Sequence, residues 1–193
     1  MIISSHKTGF GRSVNLVGLL VGIAFGVCCS KPAQRKPTSA TPPPPAGSQT
    51  LAGRVVRIAD GDTITVLDAT NTQYRIRLSG IDAPELHQAF GSRSKQNLSD
   101  WVFGKDVTVE YYKTDQYGRL VGKIIVNGQD INLEQVKAGM AWHYKEYERE
   151  QSPEDRELYA RAEDEARAQH RGLWQDPNPV EPSQFRREQR EER

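Results

Sequence analysis

The chain has 193 residues, 36% hydrophobic and 26% charged, which suits one ordinary soluble domain of roughly 100 to 150 residues with appendages and is too short for two full domains. Five of its 26 bases (Lys7, Arg12, Lys31, Arg35 and Lys36) fall in the first 49 residues, which hold no acid, so the remainder sets 21 bases against 25 acids, a balance of −4. That balance argues against sequence-blind coating of a polyanion, since positive charge on this body has to be concentrated at a few places. Both cysteines, Cys28 and Cys29, are adjacent and precede the body, which excludes a disulfide framework and a Cys-ligated zinc site from everything after them.

His6, Lys7 and Arg12 precede the apolar run Val14 to Cys29, VNLVGLLVGIAFGVCC. Its length and basic flank match a secretory signal better than a membrane span of about 20 residues. A cysteine closing the run resembles a bacterial lipoprotein signal, although Phe25-Gly26-Val27 departs from the usual Leu-small-small pattern. Lipoprotein, cleaved secretory signal and uncleaved anchor all export the body of the chain, to the cell envelope or the medium. Residues 30 to 50 are rich in Pro, Ser, Thr and Ala without an apolar period, so they are expected to form a disordered, extended spacer.

From Leu51 the pattern turns strand-like: LAGRVVRI, an Asp60-Gly61 turn, TITVL, and then YRIRLSGI. Ser92 to Phe103 carries Leu98, Trp101 and Val102 at helical spacing with Gly104 as a stop, and VTVEYY and RLVGKIIV flank the polar turn Lys113 to Gly118. Asn132 followed by Gln135 has the form of a capping box, and Ser152-Pro153 opens a further helix with Leu158, Ala162 and Ala166 on one face. The expected class is β-rich α+β, a five-stranded Greek-key barrel of the OB kind with about three α-helices, over residues 51–175. The charged tail, 176–193, has Pro177, Pro179 and Pro182 and no apolar period, which predicts a mobile segment.

Asp-Gly between strands is above all a hairpin turn, so Asp60-Gly61-Asp62-Thr63 says little alone. If Ile64 and Val66 share a buried face with Ile76 and Leu78, an antiparallel register pairing numbers that sum to 142 puts Asp62 opposite Gly80. Asp82 lies two residues on, about 7 Å of extended chain, so both carboxylates are expected at one end of the sheet. Two carboxylates with a carbonyl and waters suit Ca²⁺ or Mg²⁺. Glu85 follows Asp82 across Pro84, which allows one acid to hold metal while the other faces a water. Arginine suits a phosphoryl group because its planar fork stays charged and binds phosphate through two bonds. Arg75 and Arg77 alternate with apolar residues, as any solvated strand face does, and Asp115-Gln116-Tyr117-Gly118-Arg119 reads equally as a hairpin turn; its tyrosine could stack on a base.

In this order and spacing, Asp60-Gly-Asp-Thr63, Arg77, Asp82-Ala-Pro-Glu85 and Asp115-Gln-Tyr-Gly-Arg119, with Gly172-Leu-Trp174 near the end, the body closely resembles the staphylococcal nuclease family. The resemblance implies that Asp62, Asp82 and the backbone oxygen of Ala83 hold Ca²⁺. It makes Glu85 the general base or the group that orients the attacking water, and gives Arg77 and Arg119 to the phosphate. Tyr117 matches a nucleotide-contacting position, and Tyr144 and Tyr147 are candidates for a stacking pair after Trp142. The implied reaction is Ca²⁺-dependent hydrolysis of single- and double-stranded DNA and of RNA to 3′-phosphorylated products, by a monomer that meets the membrane only through its amino terminus. Ala83 stands where the family has threonine, and Gln116 where it can have lysine; neither change removes a catalytic group. The alternative is a catalytically idle OB-fold module that binds nucleic acid, against which the joint presence of Arg77, Glu85 and Arg119 speaks. A carbohydrate- or peptide-binding envelope module needs no such set, and His87, His143 and His170 are too widely separated for a histidine-based nuclease.

Overall fold

The computed structural model describes residues 47–192. The predicted signal segment and nearly all of the spacer lie outside the described residues. Five strands, β1 (Gln49–Ile58), β2 (Thr63–Leu67), β3 (Gln73–Leu78), β5 (Asp106–Thr114) and β6 (Leu120–Val126), form one sheet in the order β3-β2-β1-β5-β6. Two-residue strands β4 (Ile81–Asp82) and β8 (Trp142–His143) pair with each other, and β7 (Gln129–Asp130) pairs with β6. Parallel pairing of β3 with β6, Ile76 with Leu120 and Leu78 with Gly122, closes the sheet into the expected barrel. All other contacts between neighbouring strands of the barrel are antiparallel.

Ile64, Val66, Ile76, Leu78, Val109 and Ile124 are buried inside, as β-branched and aliphatic residues on one face of a pleated strand should be. Helix α1 (Gly91–Val102) adds Leu98 and Val102 to this core. Helix α2 (Ile131–Lys137) adds Ile131 and Val136, and α3 (Pro153–Ala168) adds Tyr159 and Ala162. A second, smaller cluster stacks Trp142 edge-on against Trp174, ring centroids 4.4 Å apart, with the Arg167 guanidinium over both rings. Ser152 caps α3 as expected, its Oγ accepting from Asp155 N at 3.0 Å.

Three expectations need correction. The β2–β3 register sums to 140, pairing Thr63 with Arg77 and Ile64 with Ile76, so Asp62 faces Leu78, whose N–H donates to its carbonyl at 2.8 Å. A slip of two residues keeps every side chain on its face; the turn decides between such registers, and here Asp68 Oδ1 accepts from the backbone of both Thr70 and Thr72 at 2.8 Å. Asn132 and Gln135 do not cap α2: Asp130 does, accepting from Leu133 N at 3.1 Å. The segment 176–193 is not without structure, for Pro182–Glu191 forms a fourth helix, α4, with Pro182 at its first turn. Polar contacts tie it and the residues before it to the body, from Arg186 to Glu85 and from Gln88 to the carbonyl of Val180, and Pro182 is buried.

Candidate active site

Two loops meet at one end of the barrel, residues 59–62 before β2 and 79–85 around β4, and α2 holds both from beneath. Gln135 Nε2 donates to the carbonyl of Gly61 at 2.8 Å and of Ser94 at 3.2 Å. Asn132 Nδ2 donates to the carbonyls of Ser79 at 3.0 Å and Gly122 at 3.2 Å, while its Oδ1 accepts from Ile124 N at 3.1 Å. Both amides are fully buried, so their donors need protein partners, and they find them in one loop carbonyl each, Gly61 and Ser79, and in the helix and strand beside those loops. Glycine is needed where the loops press on α1: a Cβ at Gly61 would overlap the Ser94 side chain, and one at Gly91 would overlap the backbone of Glu85.

On this platform Arg77 bridges the two predicted metal carboxylates, Nη1 lying 2.8 Å from Asp62 Oδ2 and Nη2 2.9 Å from Asp82 Oδ1. The planar fork of arginine makes one side chain able to hold two separate acids. Asp62 Oδ2 also accepts from Ala83 N at 2.8 Å, and Asp62 Oδ1 from Thr63 Oγ1 at 3.1 Å. Ala83 thus touches the site through its N–H. Asp60 turns its Oδ1 to the N–H of Asp62 at 3.1 Å; burial, and then the charge of Asp62, push its carboxyl up to about 6. Asp82 is 2% exposed. Burial raises its pKa, and the guanidinium groups of Arg186 and Arg77 pull the other way.

Glu85 lies at the open side of the cluster, its side chain 39% exposed. Sequence reading passed over Arg186 in α4, whose Nη1 reaches Glu85 Oε1 at 2.9 Å and Asp82 Oδ1 at 3.1 Å and whose Nη2 reaches Asp82 Oδ2 at 2.9 Å. No motif or period marks that arginine in the sequence. It becomes visible only when the chain returns across the loops.

Arg119 enters through the parallel seam, one residue before Leu120, the partner of Ile76. Its Nε is 2.7 Å from Asp115 Oδ2 and its Nη1 3.5 Å from Thr63 Oγ1, which in turn donates to Asp62. Tyr117 is 67% exposed, with the Arg119 guanidinium 5.4 Å from its ring centre. Tyr144 and Tyr147 lie together, ring centres 4.9 Å apart. Burial, and then the charge of Asp82, push the Tyr144 hydroxyl up to about 12, and Lys113 sits 5.4 Å from the centre of the Tyr147 ring. The structure therefore joins Asp62, Arg77, Asp82 and Ala83 directly, links Glu85 to Asp82 through Arg186, reaches Arg119 through Thr63, and sets the tyrosines around them.

The donors fit a hard divalent cation. Asp62 and Asp82 are held toward one cationic centre, the guanidinium of Arg77, and their side-chain partners are guanidinium, hydroxyl and backbone N–H groups. Among the described residues no three His, Cys, Asp or Glu side chains cluster as a metal cage, so two carboxylates would leave the other positions to carbonyls and water, as Ca²⁺ accepts in its shell of six to eight oxygens.

Residues 75–176, which include Arg77, Asp82, Glu85 and Arg119, match the family model described as staphylococcal nuclease homologue. Over 137 residues the chain is 46% identical to a protein of Haemophilus influenzae called an uncharacterized endonuclease, covering 71% of this chain and 74% of that protein. It is 46% identical over 144 residues to a micrococcal nuclease of Shigella flexneri, covering 70% and 80% of the two chains. With Protein ParB of Escherichia coli it shares 45% identity over 147 residues, 72% and 80% of the respective chains. A closed five-stranded barrel, the Asp-Arg-Asp cluster at its end and these similarities agree: the chain belongs to the staphylococcal nuclease family.

Proposed function

We propose that this protein is an exported Ca²⁺-dependent nuclease that hydrolyses phosphodiester bonds of DNA and RNA by attack of water, leaving 3′-phosphorylated ends. The carrying observation is the meeting of Asp62, Arg77 and Asp82 within 2.9 Å contacts, with Glu85 on the open side and Arg119 next door. Asp62 and Asp82, with a backbone oxygen from the Ala83 loop, would hold the ion. When bound, Ca²⁺ supplies a Lewis acid for a phosphoryl oxygen and a fixed position for water.

Glu85 is the acid of the group with a half-open side chain, and it takes the proton of the attacking water or orients that water. Arg77 and Arg119 set positive charge beside the phosphoryl oxygens, where charge grows in the transition state. Asp115 fixes Arg119 through Nε and accepts from its backbone N–H at 2.9 Å, so the guanidinium is oriented before substrate arrives. Tyr117, Tyr144 and Tyr147 offer ring faces to nucleotides. This mode needs no broadly basic body, in keeping with the acidic balance after residue 49. The apolar run ending at Cys28-Cys29 supports export.

Incubation of the full chain with single-stranded DNA tests this directly, with Ca²⁺ or a chelator. Cleavage is expected only with Ca²⁺, leaving 3′-phosphate ends; Glu85→Gln should lower kcat by roughly 10²- to 10⁴-fold and Arg119→Ala by roughly 10²- to 10³-fold. Undiminished cleavage in chelator, or variants as active as wild type, would defeat the mechanism. Stoichiometric binding without cleavage would favour an idle nucleic-acid-binding barrel.

A further inference from the structure

We propose that α4 is an autoinhibitory strap whose Arg186 competes with the divalent cation for Asp82 and Glu85; the inference rests on the roles just given to those two acids. Arg186 takes both oxygens of Asp82 and one of Glu85, at 2.9, 3.1 and 2.9 Å. One guanidinium thus covers the acid assigned to the metal and the acid assigned to the water. A bidentate, charge-assisted pair is among the stronger side-chain contacts, and a carboxylate whose two oxygens both face a guanidinium is a poorer ligand for a metal ion. In this closed arrangement Glu85 is also an acceptor already engaged.

The strap is attached lightly enough to leave. Beyond Arg186, its hold near the site is a hydrogen bond from Gln88 Nε2 to the carbonyl of Val180 at 2.6 Å, with Pro182 buried behind it. Gln88 is itself tied to the catalytic loop, since its Oε1 accepts from Glu85 N at 3.1 Å. Between the start of α4 and the body runs a cleft of about 100 Å³ lined by Asp82, Trp142, Tyr144, Glu146, Glu181 and Pro182, so space remains beside Asp82 where the helix begins. The side chain of Arg186 is 36% exposed, which keeps the pair open to screening and exchange. Ca²⁺ at Asp82 would remove the partner of Arg186, and a polyanion beside the site would draw the freed Arg186 and its exposed neighbour Arg187 away from the acids. Opening is therefore coupled to the arrival of cation and substrate.

The test is calorimetric titration of Ca²⁺ into the full-length wild-type, Arg186→Ala, Arg186→Lys and Arg187→Ala chains, with trypsin cleavage after Arg186 and Arg187 followed with and without Ca²⁺. Arg187→Ala removes the same charge from the same helix without touching the acids. The expected result is Ca²⁺ affinity about tenfold higher for Arg186→Ala, an intermediate rise for Arg186→Lys, wild-type affinity for Arg187→Ala, and faster trypsin cleavage of the wild-type tail when Ca²⁺ is present. Equal affinities in wild type and Arg186→Ala, equal gains from Arg186→Ala and Arg187→Ala, or a tail whose cleavage ignores Ca²⁺ would each overturn the strap while leaving the nuclease reading intact. No Ca²⁺ binding by any of the four chains would overturn both.

Discussion

Two buried groups in this molecule are built alike and serve different ends. In each, one base holds two aspartates: Arg77 bridges Asp62 and Asp82 at 2.8 and 2.9 Å, and Lys123 lies 2.8 Å from Asp155 and 3.5 Å from Asp130. The Lys123 group is closed. Asp155 gives both its oxygens to the ammonium, the Tyr159 hydroxyl donates to Asp130 at 2.8 Å, and all four residues are under 9% exposed. Burial pushes the Asp130 carboxyl up, and Lys123 is the leading opposition. The Arg77 group opens instead onto Glu85, is joined through Thr63 to Arg119, and is reached by a side chain from the tail. A cluster of buried charge is therefore a clamp or a site according to what lies on its open side.

The sharpest way to break that comparison is to remove one acid or base from each group. Glu85→Gln should lower kcat for single-stranded DNA by roughly 10²- to 10⁴-fold, while thermal unfolding stays close to wild type because the residue is half-exposed. Lys123→Ala should do the reverse. It strands two buried carboxylates, costing about 3 to 5 kcal/mol in denaturant unfolding, and activity per folded molecule should be kept. If Lys123→Ala lowers kcat as Glu85→Gln does, the two groups are not separable.

Gln135→Ala sharpens the comparison from between the two groups. It leaves the buried carbonyls of Gly61 and Ser94 without their donor, at about 1 to 3 kcal/mol, and it frees the loop that carries Asp62. Both unfolding and kcat should suffer, unlike either preceding variant. Smallest is Ser152→Ala, which removes the cap of the helix bearing Asp155, about 1 kcal/mol, with no change in kcat or KM.

Much of this was legible in advance. Short runs rich in β-branched and aromatic residues between polar turn signals marked all five barrel strands. The acids and arginines of the site, Arg186 excepted, were marked by the family resemblance that their order and spacing carry. What failed did so for physical reasons. Alternation fixes which face a residue takes and is blind to a slip of two, so the 142 register lost to the 140 register set by the Asp68 turn. Asn132 and Gln135 have the letters of a cap, yet their amides serve as interior donors to strands and loops. Helix α4 gave no signal because the polar contacts that attach it join residues about a hundred positions apart, a separation no local pattern records.

Asp82 is where Arg77 and the tail meet, and where the proposed cation would bind. Titrating Ca²⁺ into wild type and Asp82→Asn by calorimetry measures that most directly. One binding event per wild-type chain, absent or weakened at least about tenfold in the variant, is the predicted result; a variant that binds Ca²⁺ as well as wild type would contradict it.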